Sequence, residues 1–150
     1  MKRLLVVFHT QTGHTARMAQ AVYRGASRSD VRVCLLRCFE AGADDLRQCD
    51  GVIFGTPENF GYMSGGLKDF FDRTYYVVEG EMEGKPYALF VSAGNDGRGA
   101  IHHVERIAQG YTLRKVHEPI VCRGELSNHD LKVCEEFGET IAAGIDLGIF

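Results

Sequence analysis

The sequence predicts an α/β domain: a doubly wound, five-stranded parallel sheet in the order 2-1-3-4-5, with helices on both faces. Three observations carry this. Short apolar runs alternate with helical patterns along the chain, and no two strand-like runs follow one another. The first apolar run passes through a loop of hydroxyls and glycine straight into a helical stripe. Right-handed crossovers then leave few topologies for five strands in 150 residues.

Residues 4–8 (LLVVF) are an unbroken apolar run between turn residues, the pattern of a strand buried on both faces. Thr15, Met18, Ala19, Val22 and Ala26 recur at helical spacing, so a helix starts near Gly13 and turns that stripe inward. Residues 31–36 read as the second strand. Residues 43–49 read as a short helix whose Asp44 and Asp45 suit the positive end of its dipole. The third strand is at 51–56. Ser64 is a candidate N-cap for a helical run over 67–75, which carries Phe70 and Phe71 into the core or an interface. GEMEGKP (80–86) is a connector into a fourth strand at 87–93, and Ile101, Val104, Ile107 and Ala108 mark the next helix. Residues 113–122 contain a fifth strand interrupted at Pro119, which removes a ladder donor and so belongs at a sheet edge or bulge. Ser127 opens a last helix through Leu131, Cys134, Ile141 and Ile145. Val6, Phe8, Val52, Phe54, Leu89 and Val91 are expected in buried central strands.

With 45% hydrophobic and 25% charged residues, residues 1–150 are expected to form a single domain with a sizeable core. The net charge is −3 with both signs interspersed, which argues against a nucleic-acid groove or a polybasic membrane patch. Lys2 and Arg3 precede a run of five apolar residues, too short for a signal-peptide core or a membrane span, so a cytoplasmic protein is expected. Five scattered cysteines without a C-x-x-C indicate neither a disulfide framework nor zinc, and read as small buried hydrophobes. The six histidines show no i, i+4 pair with a Glu base, and no metal is expected.

In such a sheet the loops after strands one, three and four meet at the carboxyl edge, beside the point where strand order reverses. The first holds Thr10, Gln11, Thr12, Gly13, His14 and Thr15. A loop opening a helix this way presents backbone N–H groups to an anion, and three threonine hydroxyls can add to them. The loop itself has no Lys or Arg and lacks the three glycines of a dinucleotide fingerprint, so a terminal phosphate monoester fits it best. The alternative is that the threonines merely cap the helix. The second loop runs through Pro57, Glu58, Asn59, Phe60, Gly61, Tyr62 and Met63, and the third through Ala93, Gly94, Asn95, Asp96, Gly97 and Arg98. Phe60 either faces a ligand or plugs the core beneath its loop. Glu58 either stands where a substrate would approach or faces water. His9 and Thr56 occupy the strand ends where a phosphoacceptor receiver needs carboxylates. The first loop has no nucleophilic Cys, as a small tyrosine phosphatase requires, and no G-x-S-x-G hydrolase elbow is present.

Residues Thr10 to Thr15 follow Thr/Ser-x-Thr-Gly-x-Thr position by position and so resemble the phosphate loop of the flavodoxin-like proteins that bind FMN. PENFGYMSGGLKDFFDRTYY resembles the third-strand loop and helix of the tryptophan-repressor-binding-protein-type NAD(P)H:quinone oxidoreductases and related small NAD(P)H-dependent FMN proteins. The resemblance covers essentially the whole chain. It implies a flavodoxin-like fold, with the FMN phosphate on Thr10, Gln11, Thr12, Gly13, His14 and Thr15. It places the flavin ring against the second and third loops. It further implies NAD(P)H as electron donor and a quinone or similar small acceptor. The alternative is a carrier shuttling single electrons between protein partners. The near-neutral charge and the absence of Trp depart from the electron-carrying flavodoxins, which are typically strongly acidic and often flank the flavin with a tryptophan. The chain is also shorter than the tetrameric quinone reductases, which argues against their assembly and the quinone pocket it builds; a redox protein partner and a homo-oligomer are the alternatives to a chain that meets only small molecules. Arg98, the only cation of the three loops apart from the histidines, is a candidate for stabilising reduced flavin; the rival reading leaves its head in water beside Asp96.

Overall fold

In the computed structural model, which describes residues 1–150, the chain runs β1 (Arg3–Phe8), α1 (His14–Ala26), β2 (Arg32–Arg37), α2 (Ala43–Gln48), β3 (Gly51–Asn59) and β4 (Tyr62–Met63). It continues α3 (Gly65–Val78), β5 (Pro86–Ala93), α4 (Arg98–Gly110), β6 (Arg114–Lys115), β7 (Ile120–Arg123) and α5 (Asn128–Asp146). The main path of the sheet is β2-β1-β3-β5-β6, parallel throughout. β7 lies on the same edge of β5 as β6, further along it: β6 pairs Pro86 and Tyr87, β7 pairs residues from Phe90 to Ala93. The expected fifth strand is thus one sheet position broken in two, with Pro119 in the break.

Successive strand residues face opposite sides, and two cores result. Leu5, Val7, Val52, Phe54, Leu89 and Val91 pack with Phe70, Phe71, Val104 and Tyr111 of α3, α4 and the segment after α4. Leu4, Val6, Phe8, Ile53 and Phe90 pack with Met18, Val22, Phe137 and Ile141 of α1 and α5. The six expected central residues are each 6% exposed or less. α1 and α5 approach so closely that a Cβ on Gly25 would strike the Glu135 carbonyl oxygen, and one on Gly138 that of Val22.

The helix ends are built as their side chains dictate. Ser64 Oγ accepts from Leu67 N–H, and Ser127 and Asp130 form a reciprocal capping box. No helix is long and apolar enough to cross a membrane.

The second loop differs from expectation. β3 runs past Thr56 to Asn59, and Tyr62–Met63 pair back against it in antiparallel register, so residues 57–63 are a hairpin rather than an open loop. Its two tip residues, Phe60 (φ 52°) and Gly61 (φ 71°), both adopt the left-handed conformation that a tight two-residue hairpin turn requires. The usual Asn-Gly signal is absent because Phe occupies the first position, a conformation that costs a bulky side chain energy.

Candidate functional site

The first loop separates the roles of its three threonines. Gly13 (φ 102°) caps α1 without a side chain, and Thr10 Oγ accepts from Gly13 N–H (3.1 Å) and Ala16 N–H (3.3 Å). Thr12 Oγ lies 2.9 Å from His14 Nδ1, whose Nε2 is 3.5 Å from Glu125. Thr15 is buried, its hydroxyl 2.7 Å from that of Ser92. The N–H groups of Thr12, His14 and Thr15 have no partner within the chain. Capping is therefore real for Thr10, and three donors remain free at the positive end of α1.

The hairpin meets the first loop through Asn59, whose Nδ2 donates to Gln11 Oε1 (3.4 Å). It meets the third loop through Glu58, whose carboxylate accepts from the N–H groups of Gly97, Gly99 and Ala100. Glu58 is thus turned onto α4, neither simply facing water nor free to block an approach. Phe60 is fully exposed at the tip, which overturns its reading as a core plug. Tyr62 packs on the His103 ring at 4.6 Å, and Met63 is buried in the core. In the third loop Asp96 accepts from Arg98 N–H (3.0 Å), while the Arg98 side chain is 88% exposed with Nε 3.7 Å from Asp96.

Between the loops lies a cleft of about 390 Å³ lined by Gln11, Thr12, His14, Pro57, Glu58, Asn59, Ser92, Ala93 and Gly94, closed by Gly124 and Glu125. All three loops contribute to it. Thr10, Gly13, Thr15, Phe60, Gly61, Tyr62, Met63, Asn95, Asp96, Gly97 and Arg98 do not line it. The binding residues expected from sequence leave out Ser92, where the fourth strand passes into the third loop, and Gly124 and Glu125, which follow β7 and carry no local motif. Glu58 and Glu125 are the acidic groups in the wall, and no Lys or Arg lines it.

His9, the residue after β1, has a buried Nδ1 with no hydrogen-bond partner. Its ring lies against the backbone of Gly66 and edge-on to Phe39. Burial, and then the nearby Arg37 charge, push its pKa below the ordinary histidine value.

A parallel sheet in this order, with a cleft of loops at the reversal point and helix α1 opening onto it, defines a flavodoxin-like α/β protein. The chain belongs to the NADPH-dependent FMN reductase family, whose sequence model matches residues 38–119, a span that takes in the hairpin and the third loop. It is 36% identical over 121 residues to an NAD(P)H dehydrogenase (quinone) of Acidithiobacillus ferrooxidans, covering 66% of this chain and 60% of that protein. It is 38% identical over 100 residues to a flavodoxin of Aquifex aeolicus, covering 66% of this chain and 54% of that one. The chain thus spans a little over half the length of these curated relatives. Its fold matches that of the flavodoxin, WrbA-like protein from Agrobacterium tumefaciens with a TM-score of 0.80 at 23% identity, over 97% of this chain and 98% of the other.

Proposed function

We propose that this chain binds FMN and passes electrons from NAD(P)H through it to a quinone or a similar small acceptor in the cytoplasm. The observation that carries the reading is the set of three unpartnered N–H groups at Thr12, His14 and Thr15, beside the Thr12 hydroxyl and with no Lys or Arg lining the cleft. That donor set suits one terminal phosphate of a mononucleotide. The family membership and the quinone-reductase relative support the same reading. Five free cysteines are in keeping with a reducing compartment.

In this reading the residues of the chain bind and orient. Thr10 shapes the loop by holding Gly13 and Ala16, so that the free amides converge on the phosphate. Pro57, Ala93 and Gly94 offer flat apolar and backbone surface to the ring. Gln11 and Asn59, bonded to one another, bridge the phosphate and ring halves. FMN supplies, when bound, the capacity to take up two electrons and release them singly or together.

The test is the absorption spectrum of the purified protein and the mass of what denaturation releases, followed by FMN and riboflavin titration of the stripped protein. FMN binding far tighter than riboflavin is expected; equal binding would remove the phosphate assignment. The flavodoxin relative favours a second reading, a single-electron carrier between proteins. Anaerobic mixing with NADH or NADPH separates the two, since only the enzyme bleaches the flavin at a rate that saturates with nucleotide.

A further inference from the structure

The N-termini of α1 and α4, which follow the first and third loops, are in opposite states. At α1 three amides are free. At α4 the amides from Gly97 to Ala100 are all taken: Gly97, Gly99 and Ala100 donate to Glu58 at 3.2, 3.1 and 3.4 Å, and Arg98 donates to Asp96. Both carboxylate oxygens are used, Oε1 by Gly97 and Oε2 by Gly99 and Ala100. A glutamine would offer one oxygen and turn its NH2 toward an N–H. The contact is also a backbone contact, since a Cβ on Gly99 would collide with the Gly61 carbonyl. Glu58 is at the same time part of the cleft wall.

We propose that Glu58 is the positioning residue of the ring half of the cleft: by tying the hairpin to the first turn of α4, it sets the wall at Glu58 and Asn59 in its binding geometry before a flavin arrives. The inference rests on the FMN reading and adds to it a division of labour. The α1 amides and Thr12 recognise the phosphate, whereas Glu58 governs only the ring. It also explains how a tip with Phe60 in a costly left-handed conformation is held. β3 itself stays anchored without Glu58, because Thr56 and Pro57 pair with Val91 and Ser92 of β5. Loss of the carboxylate therefore frees the tip and leaves the sheet.

The experiment compares wild type with Glu58→Gln in two states. In the flavin-free protein, hydrogen exchange at the Gly97, Gly99 and Ala100 amides is expected to be slow in wild type and at least tenfold faster in the variant, with the sheet amides unchanged. In the flavin titrations, riboflavin and FMN affinities are expected to fall by the same factor, tenfold or more, so that their ratio keeps its wild-type value. The visible bands and the midpoint potential of bound FMN should shift with them. A folded variant that binds riboflavin as wild type does, or that loses FMN affinity alone, overturns the inference. So does an affinity loss without any change in spectrum or potential, which would mark a purely structural role. Glu58→Asp, which keeps the charge and shortens its reach, is judged by the same outcomes should Glu58→Gln not fold. A wild-type protein that binds neither flavin sinks the FMN reading and this inference together, whereas a wild type that binds FMN alongside an unaffected variant sinks this inference alone.

Discussion

The hydroxyl of Thr15, in the first turn of α1, lies 2.7 Å from the hydroxyl of Ser92 near the end of β5, both residues buried. Helix α1 is therefore bonded to the strand that delivers the third loop, and the two sides of the cleft are held in one frame. Removing one partner strands the other hydroxyl without a mate, which costs about 1–3 kcal/mol, whereas removing both costs less than the sum. Urea unfolding of Thr15→Val, Ser92→Ala and the double variant should show that coupling, and strict additivity would mean that the two hydroxyls do not support each other.

The proposed FMN site gives Thr10 and Thr12 different tasks, shaping the loop and recognising the phosphate. Thr12→Ala removes a donor to a charged group and should weaken FMN by about 1.5–3 kcal/mol, roughly ten- to a hundredfold, with riboflavin affinity and unfolding midpoint unchanged. Thr10→Ala also deprives Gly13 and Ala16 of their acceptor, so it should lower both FMN affinity and stability. Fluorescence titration and thermal melts of the two variants check this directly.

His9 makes stability pH-dependent in one direction. Its folded pKa is depressed, by burial first and Arg37 second, below the value of 6.5 it takes when unfolded. The unfolded chain then binds the proton first, so the contribution of His9 is intact above pH 6.5 and lost as pH falls through the folded pKa. The stability difference between wild type and His9→Phe, measured from pH 7.5 down to pH 5, should move against wild type on acidification. A constant difference would show that His9 titrates normally.

Arg98 is 88% exposed and turned toward Asp96. An exposed charge is screened by solvent and salt. Arg98→Ala should accordingly change the equilibrium between oxidised and reduced bound FMN by less than about twofold, or roughly 10 mV for a two-electron couple. A larger fall in potential would bring the guanidinium into the site.

Gly138→Ala should destabilise the protein by about 1–3 kcal/mol although alanine is the better helix former, because the added methyl would meet the Val22 carbonyl oxygen and force α1 and α5 apart. Thermal unfolding measures the sign; a stabilised variant would mean that the helices separate without cost.

Much of this protein was settled by local pattern. Apolar periodicity over a few residues placed the strands and helices, and Ser64 and Ser127 marked two helix starts, because caps and stripes depend on neighbours three or four positions away. The five-position sheet followed from the alternation of elements, and the three loops of the cleft followed from the sheet. What the side chains of those loops do was decided by tertiary structure. Thr15 reached Ser92 across 77 positions, and Glu58 found its amides about 40 positions on in α4. Glu125 joined the cleft from a segment with no motif of its own. The hairpin at 57–63 formed although Phe stands where a turn signal would be, since pairing and contact with α4 outweigh the local conformational cost at Phe60. A hydrogen bond to a distant backbone leaves no periodic trace in sequence, so the elements were legible there and the division of work among their polar side chains was not.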